Sequence, residues 1–256
     1  LRGDEALLGH DSGYRLLSLP YLKSLFYSWN PAIGFGVDWG INKGFLITQL
    51  PEVLGNYLTG SLSIAQRFSF VLWFFVMGIS MYAFVRNFFP ERKYWIFRIF
   101  SSTFYVYNFF ILQGWFIGER AKFSLYAALP LAILITYKTI KAKYSILKGA
   151  ILFSFLFFFL NGGGSAPLYG SILLAVLVAF VFLALTDIYK HGLKGILRPL
   201  VSGITFILSF LVLNAYWIFP QTYLFFSTYE SALSSLGGVL GALRWEEVVN
   251  QYSSFI

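Results

Sequence analysis

The segment "LRGDEALLGHDSGYRLL" puts Asp4, Glu5, His10 and Asp11 within eight positions, with Arg15 one helical turn further on. Carboxylates so placed beside a membrane suit general-base work, in which one takes the proton of a hydroxyl as that oxygen attacks. The plainer role is structural: Asp11 or Ser12 makes a good N-cap for a helix opening at Gly13. A second set lies in "LFYSWNPAIGFGVDWGINKGF", where Asn30-Pro31 marks a turn and Gly34, Gly36 and Gly40 interrupt regular structure. Trp29, Phe35 and Trp39 suit two roles. One is a belt at headgroup level. The other is a carbohydrate groove, with rings stacked on sugar faces and Asp38, Asn42 and Lys43 adding polar contacts. Composition does not separate them.

Further along, "QGWFIGERAKF" places Glu119, Arg120 and Lys122 between two apolar runs. An Arg and a Lys there suit a phosphate at headgroup depth, the Arg through two parallel hydrogen bonds; alternatively they snorkel and end helices. Consecutive glycines in "LNGGGSAPLYG" present backbone N–H groups to an anion, although close helix packing is the commoner use of small residues in membranes.

The elements that must position these groups are membrane spans. Hydrophobic residues make up 58% of the 256, aromatic residues 21% and charged residues only 12%, against about 25% charged in soluble domains; mean hydropathy is +0.70. A bilayer core needs about 20 apolar residues per helix. Six runs approach that length: 66–89, 94–116, 122–137, 147–161, 168–186 and 200–219. The third and fourth are short and fit tilted or buried helices. The expected fold is therefore an all-α polytopic helical bundle. Its parts are a first extracytoplasmic loop over 1–65, a transmembrane bundle over 66–219 and the start of a second extracytoplasmic segment over 220–256. The chain opens on Leu1 and closes in a polar stretch at Ile256, so it reads as a fragment; an external start needs either an external N-terminus or one more span upstream, and the upstream span is the expectation.

Orientation follows from the basic residues. Arg86, Arg92, Lys93 and Arg98, then Lys138, Lys141, Lys143 and Lys148, then Lys190, Lys194 and Arg198 fill three alternate connections, with Glu91 and Asp187 as their only acids. Such connections face the cytoplasm. Asp4, Glu5, Asp11, Asp38, Glu52, Glu119, Glu230, Glu246 and Glu247 then lie outside, so chemistry is expected there. The net charge of +8 is spread over these short clusters and points to anionic membrane lipid, not to nucleic acid. Zero cysteines exclude thiolate chemistry, and two histidines, His10 and His191, argue against a dedicated metal site. A carboxylate-bound divalent cation stays open as the one cofactor.

An early Asp in a long first loop, "SWNPAIGFG", "ITQLPEVLGNYLTGSLSIAQRF" leading into a span, an acidic turn at Glu119, a Gly/Ser/Asn turn at 161–167 and "LNAYWIFPQTYL" leading back out follow one another in order. This order resembles the N-terminal membrane module of GT-C-fold glycosyltransferases, in particular the α-(1→3)-arabinofuranosyltransferase group and the related YfhO-like membrane proteins. The resemblance covers nearly the whole chain in architecture and texture. It implies a polyprenyl-phosphate-linked sugar donor, a cell-envelope glycan or glycoconjugate acceptor, and a catalytic acid in the first loop. That role falls on Asp11, with Asp4 as the alternative and His10, Arg15, Trp29, Asp38, Trp39, Asn42, Glu119, Arg120 and Lys122 around the substrate. The other expectation is a non-catalytic membrane protein that binds or moves a lipid-linked saccharide.

Overall fold

Thr59, Gly60 and Ser61 separate the first two helices by the chemistry that helix ends require. Gly60 takes the left-handed conformation (φ +66°) that a non-glycine residue adopts at a cost, and its N–H bonds Asn56 O at 2.8 Å. Ser61 is the N-cap of the next helix, its Oγ accepting from Ile64 N at 3.5 Å. The structure is a computed structural model that describes residues 29–30, 37–38, 45–108, 111–112, 120–161 and 166–240. Among the described residues it holds seven α-helices: α1 (Phe45–Thr59), α2 (Leu62–Phe88), α3 (Trp95–Val106), α4 (Arg120–Ile140), α5 (Ile146–Phe159), α6 (Ala166–His191) and α7 (Leu197–Leu240). Two two-residue strands, β1 (Trp29–Asn30) and β2 (Val37–Asp38), pair antiparallel with Trp29 opposite Asp38.

Among the described residues, four helical stretches are long and apolar enough to cross a membrane: Leu62–Phe88, Lys122–Ile140, Tyr169–His191 and Leu197–Pro220. The outcome is a multi-pass helical membrane protein. The run expected as one span over 94–116 is interrupted, because Asn108 Nδ2 donates to Tyr105 O at 2.6 Å and its Oδ1 accepts from Ile111 N at 3.1 Å. An Asn that satisfies nearby backbone groups competes with the helix ladder. At about 18 Å, the 12-residue α3 falls well short of a bilayer core. The 14-residue α5 is likewise a short apolar helix. At the other extreme, α7 continues through Pro220, where the sequence suggested an external segment; a proline inside a membrane helix is tolerated when other groups satisfy the freed backbone. Residues 1–218 form one unit and 219–256 a second.

Packing is membrane-like. Large apolar side chains such as Val71, Phe75, Phe182 and Val212 point outward, while Ser69, Ser80, Thr136, Ser154, Ser202 and Asn214 are buried. Between α5 and α7 a polar ladder runs through an aromatic core. Ser154 Oγ donates to Ser209 Oγ (2.8 Å), Asn214 Nδ2 to Ser154 O (3.2 Å), Trp217 Nε1 to Asn214 Oδ1 (3.0 Å) and Asn161 Nδ2 to Tyr216 OH (3.0 Å). Phe153 stacks on Phe206 at 4.8 Å, and Tyr169 meets Trp217 at 4.7 Å.

The three basic connections gather at one end of the bundle. Arg198 at the start of α7 donates to Thr139 O (2.9 Å) and Tyr144 O (2.7 Å), joining it to the α4–α5 turn. Lys141 bonds Asp187 of α6 at 2.8 Å. The α2 end joins through Phe88, whose ring lies 5.0 Å from Tyr137. Arg98, placed from the sequence in the first basic connection, is buried there and donates to Phe89 O at 2.9 Å and to Glu91 O. It closes the carbonyls after α2, a structural duty.

Candidate functional site

At the opposite end the solvent logic of α1 is reversed. Thr48, Gln49 and Glu52 are buried, whereas Leu54, Tyr57 (68% exposed) and Leu58 (79% exposed) point outward. Water would make that arrangement costly, and lipid makes it favourable. α1, about 22 Å long and too short to cross a bilayer core, thus turns its polar face into the protein and its apolar face outward, an arrangement that suits hydrocarbon surroundings. Its seat on α2 is close: a Cβ on Gly55 would stand 3.1 Å from Ala65 Cα.

The polar face of α1 meets polar side chains from two other helices. On α2, Ser63, Gln66, Ser69 and Trp73 recur at helical spacing and are all buried; on α4, Lys122 (8% exposed) and Ser124 are buried as well. α1, α2 and α4 contact one another pairwise. Phe123, next to Lys122, lies 5.7 Å from the Phe70 ring and 5.5 Å from the Phe74 ring, which sets Lys122 at the level of Gln66 to Trp73. Glu52 and Lys122 each interact with other groups of the chain. By contrast, Gln49 Oε1, Ser69 Oγ and Trp73 Nε1 are buried with no hydrogen-bond partner among the described residues. Each such group costs about 1–3 kcal/mol when left unpaired, and a native protein that tolerates several has a reason to keep them. A carboxyl, an ammonium and three free polar atoms together can bind a polar, anionic ligand.

Beside this cluster, an open apolar cleft of about 440 Å³ runs down α2 and α3. Val71, Phe74, Phe75 and Gly78 line it from α2, Ile99 and Val106 from α3. A second apolar groove of about 370 Å³ lies on α6 and α7; its one polar lining residue, Thr136, already donates to Ala132 O at 2.8 Å.

Of the residues singled out from the sequence, Asp4, Glu5, His10, Asp11, Arg15, Trp39, Asn42, Lys43 and Glu119 lie outside the described residues, as do the glycines of 162–164. Trp29 and Asp38 are brought together as directly opposed strand residues. Arg120 opens α4, and Lys122, read as a surface cation, is buried in the bundle. Among the described residues no three His, Cys, Asp or Glu side chains come together as a metal site. Glu52, Gln49, Gln66, Ser69 and Trp73 were missed. Their signal is the spacing of Thr48 and Glu52 and of Ser63, Gln66 and Ser69, which gives each helix one polar face inside an apolar stretch.

Compared with protein-family models, with curated proteins and with solved structures, the chain matches none.

Proposed function

We propose that the chain is the membrane module of a GT-C-type glycosyltransferase that moves a sugar from a polyprenyl-phosphate donor to a hydroxyl of a cell-envelope acceptor on the extracytoplasmic side. The observation that carries this reading is the buried cluster of Glu52, Gln66, Ser69, Trp73 and Lys122 at the end of the bundle away from the basic connections. Ionisable side chains inside a membrane bundle mark substrate sites more often than structural ones. Basic connections favour the cytoplasmic side, and on that reading the cluster at the opposite end faces the outer side. The α2–α3 cleft begins at the depth of Trp73 and offers an apolar bed for the polyprenyl tail.

In the mechanism, Asp11 takes the proton of the acceptor hydroxyl while that oxygen bonds to the anomeric carbon. The bond from that carbon to the phosphate oxygen breaks, and polyprenyl phosphate leaves. Lys122 and Arg120 offset the charge that develops on the phosphate; a divalent cation, if bound, would be held by first-loop carboxylates and would add positive charge there. The free polar atoms of Gln49, Ser69 and Trp73 suit sugar hydroxyls and phosphate oxygens. A lipid-linked-saccharide binding protein without turnover would use the same cluster, and only the base separates the two.

Turnover by the full-length protein, measured beside Asp11→Asn and Asp4→Asn, makes that separation. Loss of a general base costs about 10²–10⁴-fold, so Asp11→Asn is expected to fall by that much with donor binding kept. A fall in Asp4→Asn alone moves the base to Asp4. Unchanged turnover in both variants removes the first-loop acid from the mechanism.

A further inference from the structure

We propose that the α4–α5 turn is a headgroup site for an anionic phospholipid, built by Lys138, Lys143 and Lys148. This site lies at the basic end, away from the polar cluster, and does not depend on the glycosyltransferase reading.

The turn is held in one shape. Ala142 sits in the left-handed region (φ +57°), which costs a non-glycine residue about 1–2 kcal/mol. Hydrogen bonds from Lys141 N to Tyr137 O (3.0 Å), Ala142 N to Thr139 O (3.2 Å) and Tyr144 N to Lys138 O (3.0 Å) hold it, and Arg198 clamps Thr139 O and Tyr144 O from α7. Strain kept in place by surrounding structure is characteristic of sites that must present groups in a fixed geometry.

What the turn presents is positive charge with no counter-ion among the described residues. Lys138 and Lys148 lie 5.2 and 4.9 Å from the Tyr144 ring centroid, and Lys138 Nζ also donates to Tyr144 OH at 3.4 Å. Lys143 lies 5.2 Å from the Tyr137 ring. A cation–π contact positions an ammonium but leaves its charge unneutralised. The two acids at this end are already engaged: Asp187 with Lys141 at 2.8 Å and with His191 at 3.6 Å, Glu91 with Lys93 at 2.7 Å. Lys143 and Lys148 are exposed and Lys138 is half-buried. Three ammoniums on two tyrosines, at the rim of a membrane bundle, complement the phosphate of a lipid headgroup, the anion most abundant at that depth.

The test is titration of the full chain in neutral detergent micelles with phosphatidylglycerol, with phosphatidylcholine as reference, and bound lipid counted by native mass spectrometry. Phosphatidylglycerol is expected to bind saturably. The triple variant Lys138→Gln, Lys143→Gln, Lys148→Gln is expected to lose on the order of 100-fold in affinity, about fivefold per lysine. Removing the same charge elsewhere at this end, with Arg86→Gln, Arg92→Gln and Lys190→Gln, is expected to cost less than about fivefold. Arg198→Lys keeps the charge but releases the turn, and is expected to weaken binding several-fold. Equal binding of phosphatidylcholine, equal loss in the two triple variants, unaltered affinity in Arg198→Lys, or displacement of the lipid by inorganic phosphate at equal concentration would each overturn the proposal.

Discussion

Lys122→Met is expected to lower turnover of a polyprenyl-phosphate sugar by about 100-fold, with the greater part of the loss in the chemical step. Removal of one fixed charge or donor aimed at a developing oxyanion costs about 10²–10³-fold, and Lys122 is a buried ammonium at the start of α4. The side chain of Met keeps the apolar length of the lysine stem, so packing against Phe123 and its neighbours changes little. Loss of a buried charge also threatens the fold, because Glu52 lies on a helix in contact with α4. A charge left uncompensated in a dry interior costs several kcal/mol. The double variant Glu52→Gln, Lys122→Met separates the two effects. If the lysine acts on substrate, the double variant regains thermal stability and stays inactive; if it only balances charge within the bundle, stability and turnover return together.

Gly149→Leu is expected to be the most damaging single change to the bundle. A Cβ at position 149 would stand 2.0 Å from Thr139 Oγ1 and 3.0 Å from Thr139 Cβ, far inside van der Waals contact. Thr139 has little freedom to retreat. Its hydroxyl donates to Ile135 O at 2.8 Å, and its carbonyl accepts from Arg198 at 2.9 Å. Relief therefore requires α4 and α5 to move apart, at an overpacking cost of roughly 2 kcal/mol or more. For a chain of this size that is about 4–8 °C in Tm. Adding Thr139→Ala removes Oγ1 and Cγ2 and is expected to recover part of the loss. An unchanged Tm in Gly149→Leu would show that the helices are not held at this distance.

The sequence made the long spans and the shared end of the basic connections legible, for separate physical reasons. A run of apolar residues near bilayer length is a signal carried by composition alone, as in Leu62–Phe88 and Tyr169–His191. Clustered Lys and Arg between such runs place connections on one side, and Phe88 against Tyr137 with Arg198 on Thr139 and Tyr144 bears that grouping out. The break at Asn108 was hidden because one polar residue barely lowers the hydropathy of its neighbourhood; what stops the helix is side-chain geometry. α1 was hidden for the opposite reason. Pro51 and Glu52 read as loop residues, yet Glu52 belongs to a polar face that only tertiary contact with α2 and α4 buries. The same holds for the candidate site as a whole. Lys122 was recognised as a cation in a useful place, but Gln49 and Glu52 were read into the first loop and Gln66, Ser69 and Trp73 into an apolar run, because a sequence does not show which face of a membrane helix meets protein.

The most direct test of the glycosyltransferase reading is turnover by the purified full-length protein in lipid nanodiscs, supplied with a panel of polyprenyl-phosphate sugars and a cell-envelope glycan acceptor. The expected result is release of free polyprenyl phosphate in step with one new glycosidic bond per lipid consumed, for at least one donor. Recovery of every donor intact, with saturable donor binding at the polar end, would contradict transfer and make the chain a lipid-linked-saccharide binding protein.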